Sequence, residues 1–265
     1  MDAPNLKVPF SITYIGTATA IFHLDGISLL TDPVFSPANT KWDMGVVVLN
    51  NTESAALKVE DLPPFDAVLL SHEDHPDNLD DPGRLLLNGR HVFTTLDGAK
   101  NLGYRPGVRG LRPWETVVLE IGGKHLDITG TPCQHLPGGE VTGFIITAPR
   151  FGETNGLPNA IYFSGDTVYL DELVQMRNKF HISVAVLNIG KVMISLPDQE
   201  LQITMDGRQA ARLFRDIGAD VLVPMHYESW RHFRENGTEL RQAFEEENIM
   251  DKVCWLTPGE TRQIV

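Results

Sequence analysis

Residues 68–81, VLLSHEDHPDNLDD, place two histidines and five acidic residues directly behind a short apolar run. Imidazole nitrogens and carboxylate oxygens are donors for Zn2+, and they also suit Mn2+ and Fe2+. The pattern recurs three times further along the chain. Ile128-Thr129 lie shortly before His135, Ile161-Tyr162-Phe163 precede Asp166, and Val221-Leu222-Val223 precede His226. Each case is a β-type run followed by a side chain able to bind a metal. Parallel and mixed sheets gather strand ends on one edge, so residues just past those ends converge although far apart in sequence. An aspartate in such a group can bridge two cations. A cation pair lowers the pKa of a bound water, which is the chemistry of hydrolysis without a covalent intermediate. Taken singly, each residue has a plainer reading. His72 and His75 would be solvated loop histidines, His135 a loop residue, Asp166 a turn or helix cap, and His226 an imidazole at the core edge. The joint recurrence favours ligands.

Such a site needs strands to position it. SITYIGTATAIFHLDGISLLTDPVF (11–35) reads as two β-rich runs joined by Asp25-Gly26, a strong hairpin signal. DAVLLS (66–71) reads as a buried strand, and LLLNGRHVFTT (85–95) as a turn at Asn88-Gly89 followed by a strand. A short helix is predicted over 97–104, and ETVVLEIGGKHLDITGTP (115–132) forms a second hairpin about Gly122-Gly123. Strands follow over 141–150, 159–167, 182–190 and 219–227. Helical spacing appears over 170–180, over 238–249, and most clearly over 204–218, where Ala210, Ala211, Leu213 and Phe214 share a side and Gly218 marks the stop. VCWLTPGET (253–261) closes the chain. The first half is mostly strands, the second alternates helix and strand, and no Ser/Gly/Pro tract separates them. The expectation is one layered α/β domain over 1–265 with helices outside the sheets.

The chain has 265 residues, 42% of them apolar, with 35 acidic and 22 basic residues and a net charge of −13. That suffices for a sizeable core, and no basic cluster is dense enough to follow a phosphate backbone, which argues against nucleic acid. The start lacks a basic n-region followed by an apolar h-region, and no run of about 18 apolar residues occurs. Only Cys133 and Cys254 are present. The expectations are reduced thiols, a cytoplasmic location, no membrane partner and a small-molecule substrate.

The segments ITYIGTATAIF…GISLLTDPVFS, VLLSHEDHPDNLD, TPCQHLPGGE, IYFSGDT and GADVLVPMHY span nearly the whole chain. Together, in this order, they resemble the metallo-β-lactamase superfamily, and within it the branch that contains ascorbate-phosphate lactonase and the N-acyl-phosphatidylethanolamine phospholipases. The resemblance implies a four-layer αββα sandwich. It also implies a first metal held by His72, His75 and His135, and a second held by Asp77, Asp166 and His226. Asp166 would bridge the two, Asp77 would also orient or deprotonate the water, and Asp32 would support the metal loop from behind. The implied cofactor is one or two Zn2+, with Mn2+ or Fe2+ as alternatives.

Two departures stand out. The family motif is His-x-His-x-Asp-His. Matching Asp77 without a gap puts Glu73 at the first position, His75 at the second and Asn78 at the fourth. Keeping His72 as the first ligand requires the loop to absorb one residue; the preceding VLLS favours this, and Asp74 is a further candidate. Asn78 replaces a strong ligand of the second metal, and Thr17 stands where relatives often carry histidine. One cation would still activate water.

Among the other residues, His23, His91, His125, His181 and His232 read as structural or solvated. Cys133 reads as packing. Lys191 is a candidate for binding an anionic group or an oxyanion, and Tyr169 and Tyr227 for donating to a reacting carbonyl. Trp114 and Trp230 read as wall or core. The leading functional reading is a hydrolase that opens a small cyclic ester or cyclic amide. The alternatives are phosphodiester cleavage and non-catalytic metal binding on the same fold. Loops 36–60, 136–158 and 191–204 are expected to set specificity.

Overall fold

In the computed structural model, residues 4–45, 47–136 and 139–265 are described. Val46 of the 36–60 loop, and Pro137 and Gly138 of TPCQHLPGGE, lie outside the described residues.

The predicted runs form two seven- and six-membered ladders facing one another. In the first sheet the order is Thr261–Gln263, Phe10–Gly16, Thr19–Leu24, Ile27–Thr31, Ala67–Leu69, His91–Thr94, Val108–Gly110. Its first four strands pair antiparallel and the remainder pair parallel. The second sheet runs Val221–Met225, His181–Asn188, Leu157–Phe163, Gly143–Thr147, Lys124–Thr131, Thr116–Ile121. Here the first three strands pair parallel and the others antiparallel, with Glu153–Thr154 added beside Leu157–Phe163.

The two-residue period sorts side chains between layers. Val184 and Val186 enter the core between the sheets with Phe10, Ile12, Phe22 and Phe163, whereas Ala185 and Leu187 face the helices on the far side. Val68 and Leu70 likewise face outward, packing with Leu87 and Leu102 at the ends of two short helices. Helix, sheet, sheet and helix thus stack in four layers, as the resemblance implied.

Local chemistry explains most elements. Asp25 (φ 47°) and Gly26 (φ 77°) make the predicted hairpin turn, as do Gly122 (φ 57°) and Gly123 (φ 76°). Helix Gly207–Ile217 starts where the Asp206 side chain accepts from Gln209 N and stops at left-handed Gly218. Helix Gly237–Glu246 opens on an Asn236/Glu239 capping box.

The structure adds two elements and corrects a third. Residues 81–86 form a helix that the acidic composition and the Pro82-Gly83 pair concealed; Asp80 is its N-cap, accepting from Gly83 N, and Pro82 sits in its first turn. The segment Asp171–Asn178 is a 3₁₀ helix instead of an α-helix, and its buried residues Leu173 and Met176 are three apart, matching three residues per turn. Finally, Thr261–Gln263 is an edge strand beside Phe10–Gly16. No helix among the described residues is long and apolar enough to cross a membrane.

Candidate metal centre

Chain direction in the sheets dictates where the chemistry lies. The strands ending at Thr31, Leu69, Thr131, Phe163, Asn188 and Met225 all finish on one edge of the sandwich. Asp32, Ser71, His72, His135, Asp166 and His226 follow within a few residues. Left-handed backbone at Asp32 (φ 29°) and His226 (φ 62°) turns the chain sharply there, a local cost of order 1–3 kcal/mol each that concentrates at functional sites. Gly165 (φ 57°) is needed for close approach: a Cβ there would lie 2.7 Å from Thr142 O and 2.9 Å from Ser71 Cβ.

Two compact donor groups result. His72, His75 and His135 form one; Asp77, Asp166 and His226 form the other; within each, one donor atom per residue lies within 4.8 Å of the others. In the first, His72 Nε2 is 2.9 Å from His75 Nδ1, which is 3.3 Å from His135 Nε2. The opposite ring nitrogens are engaged. Ser71 Oγ donates to Asp32 Oδ2 (2.8 Å) and accepts from His72 Nδ1 (2.8 Å), while His135 Nδ1 donates to Ile203 O (2.7 Å). Both Nε2 atoms therefore present lone pairs to the same point. Burial pushes the His72 imidazole well below its ordinary pKa, helped by His75. Burial also lowers His135, and outweighs the opposing pull of Asp166. A proton on His75 Nδ1 bridges the 2.9 Å gap to His72 Nε2, or a cation does so in its place. Donors bonded at about 2.0–2.1 Å to one tetrahedral ion sit roughly 3.3 Å apart; the His75–His135 separation matches this at 3.3 Å, and His72 and His75 are closer at 2.9 Å.

The second group is held from behind by amides. Asn188 Nδ2 donates to Asp166 Oδ1 at 2.8 Å, and Asn78 Nδ2 contacts Asp32 Oδ2 at 3.2 Å and Asp166 Oδ1 at 3.4 Å. His226 Nδ1 donates to Ile189 O (3.2 Å), which aims Nε2 at Asp166 (3.3 Å) and Asp77 (3.5 Å). Burial alone would raise the Asp77 carboxyl, but hydrogen bonds from His226 and His232 hold it well below the usual carboxylate range. In Asp166 the upward push of burial is outweighed by His226, His72 and His135.

His226 carries the opposite shift. Burial would lower it, but the Asp166 and Asp77 carboxylates hold it up at about 9, above its ordinary 6.5. In metal-free protein this contribution to stability is full below about 6.5 and is lost as pH rises through about 9. A cation entering this group must displace that proton. Zinc uptake at pH 7.5 is accordingly expected to release about one proton from His226, seen as a buffer-dependent enthalpy in calorimetry; identical enthalpies in buffers of different ionisation heat would contradict it.

The alternatives at the first position resolve geometrically. Glu73 turns away from the site, taking Asn101 Nδ2 (2.9 Å) and Arg84 (3.2 Å), and Asp74 joins neither donor group. The loop absorbs the extra residue: His72 and His75 meet edge-on with ring centroids 4.7 Å apart, and a helical turn from His75 to Leu79 delivers Asp77. Other candidates are engaged elsewhere. Lys191 Nζ lies 3.3 Å from Glu235 and 3.9 Å from Asp206. Tyr169 donates to Asp216 at 2.8 Å, Tyr227 packs on Trp255, and the half-buried Cys133 thiol donates to Ser164 O. Thr17 braces the last ligand loop, its carbonyl accepting from His226 N and its hydroxyl from Trp230 Nε1.

His232, read as structural or solvated, stands beside the second group: Nε2 contacts Asp77 Oδ2 at 3.1 Å, and its ring packs against Trp230 and Phe233. It sits in a loop with no strand before it, so the strand-end pattern passes over it. The six-residue spacing from His226 is the only signal in the sequence.

A sandwich of this topology with donors on this edge defines a class, and comparison with known proteins names it. A family model described as a beta-lactamase superfamily domain matches residues 28–227. The chain belongs to the metallo-β-lactamase superfamily and is a metal-dependent hydrolase of that family. It is 28% identical to a UPF0173 metal-dependent hydrolase of Hyperthermus butylicus, covering 95% of this chain and 98% of that one. Its identity to the corresponding protein of Methanopyrus kandleri is 25%, covering 94% and 98%. Among solved structures, an isothiocyanate hydrolase from Delia radicum gut bacteria superposes with a TM-score of 0.76 at 25% identity, covering 95% and 98% of the two chains. Igni18, a metallo hydrolase from Ignicoccus hospitalis, shares the fold with a TM-score of 0.72 at 24% identity, covering 97% and 99%.

Proposed function

We propose that the protein opens a small cyclic ester or cyclic amide by hydrolysis, with His72, His75 and His135 holding one cation and Asp77, Asp166 and His226 a second. The observation that carries this reading is the convergence of three imidazoles beside a carboxylate that two further imidazoles approach. The donors are a borderline nitrogen and oxygen set that suits Zn2+. When bound, the cation supplies a Lewis acid that polarises the scissile carbonyl and makes water acidic.

The chain's own groups do the rest. Asp77, held in place through Oδ2 by His226 and His232, accepts the proton of the attacking water. The water oxygen adds to the carbonyl carbon, the acyl–oxygen or acyl–nitrogen bond of the ring breaks, and the proton passes to the departing ring atom. A wall runs from Trp42 through Trp230 and His232 to Phe233, with ring centroids 4.6–5.7 Å apart, and offers apolar contact to a substituent. Lys191, whose charge is already met by Glu235 and Asp206, gives little support to a phosphodiester substrate.

One observation favours a second reading. The likeness to an isothiocyanate hydrolase suggests attack of the same water on the carbon of R–N=C=S, giving the amine and carbonyl sulfide. The test is turnover of lactones, lactams, an isothiocyanate and a chromogenic phosphodiester before and after chelator dialysis, then with Zn2+ restored. Chelator-sensitive, zinc-restored ring opening is expected. Turnover of the isothiocyanate alone would select the second reading, and turnover of the phosphodiester alone would sink both.

A further inference from the structure

His232 lies outside every pattern that found the other site residues, yet it shares an oxygen with the second donor group. Its Nε2 is 3.1 Å from Asp77 Oδ2, and His226 Nε2 approaches the same oxygen at 3.5 Å. Two donors of one cation, each bonded at about 2.0–2.2 Å, stand roughly 3 Å apart. The Asp77–His232 separation therefore suits a shared ion as well as a hydrogen bond.

The residue at the position that should complete this group meets it through an N–H donor instead of a lone pair. Asn78, at the last position of the family motif, spends its Nδ2 on Asp32, Ser71 and Asp166, and its buried Oδ1 meets no partner. That amide braces Asp166 from behind instead of facing an ion. The group is left with Asp77, Asp166 and His226, whose fully buried Nε2 faces the Asp166 and Asp77 carboxylates at 3.3 and 3.5 Å. His232 Nδ1 is buried and has no hydrogen-bond partner among the described residues, so the ring is held by the Asp77 contact and by its packing against Trp230 and Phe233. Its other nitrogen does not anchor it to the loop. Its Nε2 stands outside the compact donor group of Asp77, Asp166 and His226, so ligation requires the ring to move inward from the Asp77 corner.

We propose that His232 is a ligand of the second cation, supplying from the loop after the last strand the nitrogen that Asn78 does not. This rests on the reading of the edge as a two-cation centre. The position also explains why the asparagine is tolerated: the ligand count is kept while Asn78 takes over support of Asp166.

The test is metal binding by the full chain, stripped with chelator and dialysed against buffered free Zn2+, with bound zinc counted by mass spectrometry. Wild type is expected to hold two equivalents. His232→Ala should keep the first at unchanged affinity and weaken the second by at least about 100-fold. Asn78→Ala should keep the second within about tenfold, and His226→Ala serves as the control for its loss. Two equivalents bound by His232→Ala at wild-type affinity would overturn the proposal. Wild type binding one equivalent would overturn it while leaving the hydrolase reading intact, and binding none would overturn both. If His232→Ala does not fold, ¹⁵N-histidine spectra of the wild-type zinc protein decide. A metal-bound Nε2 on His232 is expected, and a proton-bearing Nε2 hydrogen-bonded to Asp77 would refute ligation.

Discussion

Replacing Asp77 by asparagine is expected to lower kcat about 10²- to 10⁴-fold, the usual range for removing a positioned proton acceptor. The substitution keeps the shape of the side chain. It removes both a proton-accepting carboxylate and the negative charge that His226 and His232 address through Oδ2. His72 and His135 do not depend on Asp77 for their orientation, since Ser71 and Ile203 set those rings. The first cation should remain bound, the second should weaken, and KM should change far less than kcat. Parallel kinetics and metal counting read these apart. A variant with wild-type kcat would remove Asp77 from the chemistry.

Asp32 produces the second large effect, through position alone. It is fully buried and accepts from Ser71 N at 2.6 Å, Ser71 Oγ at 2.8 Å and Asn78 Nδ2 at 3.2 Å. Ser71 Oγ in turn orients His72. Asp32→Ala strands three buried donors, and stability should fall by about 2–4 kcal/mol. The His72 ring loses its brace, and affinity for the first cation should drop about 10- to 100-fold, as for other residues that support a ligand. Burial pushes the Asp32 carboxyl up to about 7, against the pull of Ser71, so relief of that burial offsets part of the stability loss. Asp32→Asn should separate the two effects, because asparagine tolerates the left-handed backbone at φ 29°. It is expected to keep more of the stability and still lose metal affinity. Unchanged zinc affinity in both variants would break the proposed Asp32–Ser71–His72 chain.

These residues also show how far the sequence could be read. Apolar runs ending in a donor located His72, His135, Asp166 and His226, because parallel strands bring their ends to one edge whatever the loops do. The same logic hides residues that reach the edge otherwise. His232 arrives on a loop, and Asn188 ends a strand but is an amide, so neither carried a signal. The strand predicted over 182–190 forms, and only the fold shows that Val184 and Val186 face the inner core while Ala185 and Leu187 face the helices. Helix Asp81–Leu86 was not legible, because the aspartate that caps it resembled one more member of an acidic loop. The choice among His72, Glu73 and Asp74 needed three dimensions as well: only the fold shows Glu73 paired with Arg84 and Asn101.

Anomalous diffraction from zinc-soaked crystals of the metal-stripped protein tests the central claim most directly. A peak bonded at about 2.0–2.1 Å to His72 Nε2, His75 Nδ1 and His135 Nε2 is predicted, with a second among Asp77, Asp166 and His226. Full-occupancy zinc bound elsewhere, with those three imidazoles left without a metal, would contradict it.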